Sequence, residues 1–149
     1  MIEIILFSLG LHHIPDVGKM VEDFHINRTT QFIVQFEGFH SCPYKDAGGY
    51  SVGYGSKSNG YCLTKPQARQ IVRKEVERLD DLITAKYDLN YNQRMALVSF
   101  TYNTPVTQPA LRTEFPVYDD QKVYDVFMQY AWLRGLKKRR LVEYYYFSL

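Results

Sequence analysis

The sequence predicts an α+β domain in which helices dominate and a small antiparallel β-hairpin region sits apart, near the N-terminal third. Three observations predict it. Gly48, Gly49, Gly53 and Gly55 are interleaved with the β-formers Tyr50, Val52 and Tyr54, a hairpin signature. From Thr64 onward, apolar residues recur at three and four, the period of a helix buried on one face. Thr64-Lys-Pro-Gln67 and Asn90-x-x-Gln93 then supply two helix starts, the first a capping box with Pro in its first turn.

Taken in order, the first predicted element is a short helix over Thr30–Glu37, with Thr29 or Thr30 as N-cap and Gly38 near its end. The hairpin region comes next. The helix opened by Thr64 carries Ala68, Ile71, Val72, Val76, Leu79, Leu82 and Ile83 as one buried stripe. Its carboxylates Glu75, Glu77, Asp80 and Asp81 fall mostly off that stripe and read as solvated. The helix opened by Asn90 is apolar nearly all round through Met95–Val98 and Phe100, so it belongs at the centre. A break runs from Thr104-Pro105 to Pro116. Asp119 or Asp120 caps a further helix with Val123, Val126, Phe127, Tyr130 and Ala131 on one face. After Gly135 a last helix carries Leu136, Leu141, Val142 and Tyr145.

At 149 residues the chain is long enough to bury a core without metals or multiple crosslinks. Its net charge of +2 is too small to argue for nucleic acid. The stretch MIEIILFSLGL is shorter than the ~20 apolar residues of a membrane span and is interrupted by Glu3, Ser8 and Gly10. It lacks the basic start and small-residue cleavage site of a secretory signal. The expectation is a packed N-terminal segment of a protein made in the cytoplasm, with a partner-docking surface as the alternative. Cys42 and Cys62 read more readily as free thiols than as a disulfide in a chain without an export signal. With His40 they do not make the four ligands of a zinc site. No metal or cofactor is implied.

Residues 36–55, FEGFHSCPYKDAGGYSVGYG, carry the chemistry. Glu37 stands at the end of an apolar run, flanked by Phe36 and Phe39. A helix end and apolar neighbours both disfavour a charged carboxylate, so its pKa is expected to rise, as a general acid requires. Asp46 lies at the lip of a Gly-Gly turn, and Ser51 follows on a strand-like Tyr-Ser-Val-Gly-Tyr-Gly. Glycoside hydrolysis needs such a carboxyl pair: one to protonate the leaving oxygen, one to stay ionised across the sugar. Read singly, each residue is ordinary: a solvated Glu, a turn-capping Asp, a strand Ser. His12, His13, His25 and His40 read as surface or packing histidines. Lys137-Lys-Arg-Arg140 reads as a solvated helix face, unless one arginine reaches Glu37 or an anionic substrate.

The same segment resembles the active-site region of the phage-type lysozymes. The family follows its catalytic Glu with Gly, then an Asp or Cys, then Thr at the head of a Thr-Ile-Gly-Tyr-Gly-His strand. Here those positions are Glu37-Gly38, Asp46 and Ser51-Val-Gly-Tyr-Gly55. Leu63–Ala68, Asn92-Gln93, Ala96–Asn103 and Gly135-Leu-Lys-Lys-Arg-Arg140 followed by Phe147 are similar to its later signatures. The chain departs from the pattern in four places. Ser51 replaces Thr, the Asp46–Ser51 turn is one residue shorter, Ser56 replaces His, and residues 103–119 are compressed.

The resemblance implies a lysozyme-like fold over residues 29–149, with 1–28 an N-terminal extension of unknown role. It implies hydrolysis of the β-1,4 bond between N-acetylmuramic acid and N-acetylglucosamine in peptidoglycan, with inversion, for host wall lysis by a bacteriophage. Glu37 would be the acid, with Asp46 and Ser51 holding the water. Tyr54, Tyr102 and Asn103 would line the sugar cleft, Asn103 at the place of the family's substrate-binding amide; the plainer reading of Asn103 is a helix cap. An alternative is a degenerate fold kept as a wall-binding or virion module, its partner meeting residues 1–28. A lytic transglycosylase, which uses a lone Glu, fits Asp46 poorly. The expected location is the host cytoplasm before release to the periplasm or wall, or else the virion.

Overall fold

A computed structural model describes residues 16–46, 48–105, 107–132 and 135–149 of the chain; the N-terminal stretch MIEIILFSLGL, His12 and His13 lie outside them. Among the described residues six helices and three strands succeed one another in order. They are α1 (Val17–Val34), β1 (His40–Asp46), β2 (Gly49–Gly53), β3 (Ser56–Lys57), α2 (Lys65–Thr84), α3 (Tyr91–Asn103), α4 (Pro109–Arg112), α5 (Asp120–Gln129) and α6 (Leu136–Phe147). The strands form one antiparallel sheet in the order β1-β2-β3. This is the predicted α+β architecture, with the sheet small and segregated.

The first helix departs from its sequence reading. It starts at Asp16, whose side chain accepts from the Lys19 amide at 3.3 Å, and ends at Val34 rather than Glu37. It therefore runs through position 28 without a break, so no structural boundary separates residues 16–28 from the rest of the helix. Thr29 and Thr30, read as caps, are interior and buried, and the Thr30 hydroxyl bonds back to the Ile26 carbonyl at 2.8 Å. The buried stripe is His25, Ile26, Thr29, Thr30, Phe32 and Ile33. Half of that stripe is polar, which hid its helical period from a hydrophobic count.

The two predicted helix starts carry full reciprocal capping boxes, at Thr64/Gln67 and Asn90/Gln93. On α2 the buried positions are Ala68, Val72, Val76, Leu79 and Ile83, while Ile71 and Leu82 lie exposed at the stripe's margins. Asp80 corrects the reading of that helix: it is buried, not solvated. It accepts from Arg94 Nε at 3.1 Å and lies 3.3 Å from His25 Nε2, joining α1, α2 and α3. His25 is thus a packing histidine. On α3 every residue from Met95 to Thr101 is buried, which makes it the central helix. Phe100 packs there against Phe127 and Tyr130, with ring centroids 4.7 and 5.3 Å away. The break after α3 contains one helical turn, α4, anchored by Lys86 Nζ donating to the carbonyls of Ala110, Leu111 and Thr113.

The hairpin is pressed onto α2 at Gly53. Its φ is +68°, and a Cβ there would stand 2.7 Å from the Ala68 Cβ, so both backbone angle and space require glycine. Cys42 and Cys62 are joined in a disulfide, which corrects the expectation of free thiols. The bond ties β1 to the segment entering α2, beside a 2.6 Å hydrogen bond from the Leu63 amide to the Ser41 carbonyl.

Candidate active site

Glu37 sits in the bend three residues beyond α1, half-buried, with a side chain 21% exposed. Its Oε1 accepts from Arg139 Nη1 at 2.5 Å, and that guanidinium lies over the Phe36 ring, 5.3 Å from its centroid. One arginine of the basic run does reach Glu37. The contact that the sequence offered as the alternative to a solvated face is the one formed, with a charge that arrives from the far end of the chain.

Asp46 ends β1 opposite Gly49, and Ser51 stands on β2 opposite Tyr44. The Ser51 hydroxyl donates to Asp46 Oδ2, and the Gly48 amide donates to Oδ1 at 2.8 Å. Despite the shortened turn, the hydroxyl faces the carboxylate. The Ser51 bond, then the Gly48 amide, hold the Asp46 carboxyl below the usual carboxylate range. Asp46 therefore stays ionised at any pH near neutrality.

Tyr44 stands on β1 opposite Ser51, and sequence reasoning missed it. Its phenol is pushed up first by burial, then by the negative charges of Asp46 and Glu37. Both carboxylates thus act on one hydroxyl of β1. Neither helical nor strand periodicity marks it; its pairing with Ser51 across the hairpin was the only available signal.

Tyr102, at the end of α3, donates to the Tyr54 carbonyl at 3.2 Å. Burial first, and then the charge of Glu37, push its phenol up to about 12, while the Ser56 hydroxyl beside it acts the other way. Tyr54 packs on Phe39 with ring centroids 5.4 Å apart. The two tyrosines therefore join the hairpin to α3 next to Glu37.

Asn103 is the last residue of α3, and Thr104 occupies the cap. Its Oδ1 accepts from Arg140 Nη2. An arginine can only donate, so this bond fixes which end of the amide is oxygen and turns the NH₂ away from Arg140.

The basic run itself is divided. Lys137 and Lys138 are exposed, whereas Arg139 and Arg140 are buried with Glu143 between them. The buried face of α6 is therefore Arg139, Arg140, Glu143 and Phe147, while the predicted apolar residues Leu141 and Tyr145 face outward. Among the described residues no group of three His, Cys, Asp or Glu is placed to hold a metal ion.

The phage lysozyme family model matches residues 34–143, a span that holds Glu37, Asp46, Ser51, Asn103 and both buried arginines. A search of curated proteins returned no match. Among solved structures, the chain resembles the muramidase domain of SpmX from Asticaccaulis excentricus, with a TM-score of 0.65 and 21% identity, covering 82% of this chain and 95% of that one. It also resembles an endolysin from Escherichia coli O157:H7 phage FAHEc1, with a TM-score of 0.64 and 24% identity over 80% of this chain and 89% of that one. The active form of the P1 phage endolysin Lyz gives 0.59 and 20% over 96% and 90%. At these identities the structural likenesses speak for the fold, and the family match speaks for the lineage. The chain belongs to the phage lysozyme family and is a glycoside hydrolase, a muramidase acting on peptidoglycan.

Proposed function

We propose that the chain hydrolyses the β-1,4 bond between N-acetylmuramic acid and N-acetylglucosamine with inversion, and that it serves lysis of a bacteriophage's host. Glu37 gives its proton to the glycosidic oxygen as the bond to C1 breaks and the electron pair leaves with that oxygen. A water held by Asp46 and Ser51 attacks C1 from the opposite face, and Asp46 takes the water's proton. Arg139 pairs the carboxylate that Glu37 becomes. The observation that carries this reading is a pair of carboxylates held in different ways: Glu37 accepts from Arg139, while Asp46 accepts from the Ser51 hydroxyl and the Gly48 amide. The bonds from Ser51 and Gly48 to Asp46 support its role as the ionised partner.

Tyr54 and Tyr102 supply apolar faces for the pyranose rings, and the outward NH₂ of Asn103 donates to a sugar acetamido oxygen. The experiment is turbidity loss of purified peptidoglycan followed by reducing-end and anomer analysis. Glu37→Gln should reduce hydrolysis by the ~10²–10⁴ typical of a lost acid while the protein stays folded. Inversion predicts α-anomer from the β-linked strand; β-anomer would overturn it. Anhydro ends would point to a transglycosylase. Wall binding without cleavage by the parent protein would favour the degenerate module.

The Cys42–Cys62 bond supports release from the host cytoplasm to the periplasm or wall, since disulfides persist in oxidising compartments. A virion or tail partner held through residues 1–28 is the second reading. It draws on α1, where Val17, Met20, Val21 and Phe24 form an exposed apolar stripe, Phe24 being 69% exposed. Sedimentation with purified phage particles tests it. Protein found wholly in the supernatant would make it a free endolysin. Among the described residues no helix is long and apolar enough to cross a membrane.

A further inference from the structure

Besides Asp80, a further buried carboxylate stands outside the reacting pair of Glu37 and Asp46. Glu143, on α6, is 0% exposed, and an ionised carboxylate out of water is costly unless paired and hydrogen-bonded. Its partners are complete. Oε1 accepts from Arg139 Nε at 2.9 Å and from the Ser99 hydroxyl at 2.6 Å, and Oε2 accepts from Arg140 Nη1.

Each arginine has a second end, and each second end meets a residue of the cleft. Arg139 Nη1 holds Glu37 at 2.5 Å, while its Nη2 is steadied by the Ser99 carbonyl and hydroxyl at 3.3 and 3.2 Å. Arg140 Nη2 holds the Asn103 amide oxygen. Arg140 has little else to fix it: its Nε is buried with no hydrogen-bond partner, and its planar face lies over Phe100 at 4.8 Å. One carboxylate thus anchors the inner edges of two guanidinium groups whose outer edges present to an acid and to an amide.

We infer that Glu143 is a positioning residue for the reaction. It fixes Arg139 so that the Glu37 carboxyl has one place, and Arg140 so that the Asn103 amide has one orientation. It touches neither sugar nor reacting atoms. The inference rests on the reading of Glu37 as the acid and Asn103 as a sugar-binding amide.

The test is Glu143→Gln in the full chain. The amide keeps the shape but offers one accepting oxygen, and its NH₂ end would confront a guanidinium that can only donate. One arm must let go. On peptidoglycan kcat should fall roughly 10- to 10²-fold, the loss expected when a reacting group is displaced by about an ångström. Glu143→Asp, which restores the charge with a shorter reach, should recover part of it.

Side-chain ¹⁵N NMR supplies the readout that a filler role would not move. The Arg139 Nε–H resonance and the Asn103 NH₂ pair should both shift in E143Q, since Asn103 is linked to Glu143 through Arg140. A folded E143Q with parental kcat and KM, or with both resonances unmoved, overturns the inference. Should E143Q fail to fold, E143D takes its place, and unmoved resonances there overturn it equally. A parent protein without hydrolytic activity would sink the functional reading, while the resonances would still decide for or against the positioning.

Discussion

Reduction of the Cys42–Cys62 bond should lower the melting temperature by roughly 10 °C. The two cysteines are separated by 20 in sequence, and closing a loop of that length removes enough freedom from the unfolded chain to stabilise the folded one by about 3 kcal/mol. Unfolding entropy runs at about 2.1 cal/mol/K per residue, so the 149-residue chain changes stability by about 0.3 kcal/mol for each degree near its midpoint. The quotient is the predicted shift. Both cysteines are exposed, so a thiol reductant reaches the bond in the folded protein.

The assay is a far-UV circular dichroism melt with and without dithiothreitol, alongside a Cys42→Ser/Cys62→Ser protein that should melt near the reduced parent and ignore the reductant. Asp46 and Ser51 lie inside the loop that the bond closes, so muramidase activity should fall before the helical part melts. Two reactive thiols in the unfolded, unreduced protein would refute the pairing. Coincident melts with the bond intact in one sample and broken in the other would refute the loop-closure arithmetic.

Two further outcomes are expected of the site. The Asp46 carboxyl is depressed chiefly by the Ser51 hydroxyl, so its contribution is present above the ordinary aspartate value and is lost as pH falls through the depressed one. Ser51→Ala should therefore move the acid limb of the kcat/KM profile to higher pH, and an unmoved limb would remove Asp46 from the water-holding role. Asn103→Asp keeps the oxygen that Arg140 needs but deletes the outward NH₂, so kcat/KM should fall with the melting temperature retained. Unchanged kinetics there would exclude Asn103 from the substrate cleft. Asn103→Ala is the poorer probe, because it also strands a buried Arg140 N–H, at a cost of about 1–3 kcal/mol.

The features legible in the sequence were those that use short-range rules. Capping boxes at Thr64 and Asn90 depend on residues three apart, and the hairpin depends on glycines beside β-formers. Ser51 was found only through the family resemblance, since a strand Ser read by itself is ordinary. Illegible were the features in which charge or polarity replaces apolar burial. The α1 stripe buries His25, Thr29 and Thr30, and α6 buries Arg139, Arg140 and Glu143. A hydrophobic period cannot register either face. Arg at 139 and 140 with Glu at 143 is nonetheless an i,i+4 and i,i+3 spacing, a pattern from which a pairing, though not its burial, was readable. Nothing in cysteine spacing reports whether a bond forms.

Among the described residues there are two buried ion clusters, and their positions separate their roles. His25, Asp80 and Arg94, with Glu22 at the rim, join α1, α2 and α3 through direct pairs. None of the candidate site residues takes part, so that cluster fixes how the helices meet. The α6 cluster reaches the candidate site at one end, through Glu37 and Asn103. Buried ions are poor stabilisers compared with packed apolar groups, yet removing one partner costs about 3–5 kcal/mol. A cluster of that kind at a catalytic acid tolerates little drift of the guanidinium from the carboxyl. The Glu37–Arg139 pair spans 102 residues of sequence, whereas Asp46 and Ser51 meet within one hairpin. The water-holding half of the site therefore comes with local structure, and the acid's half is complete only when the last helix docks against α3.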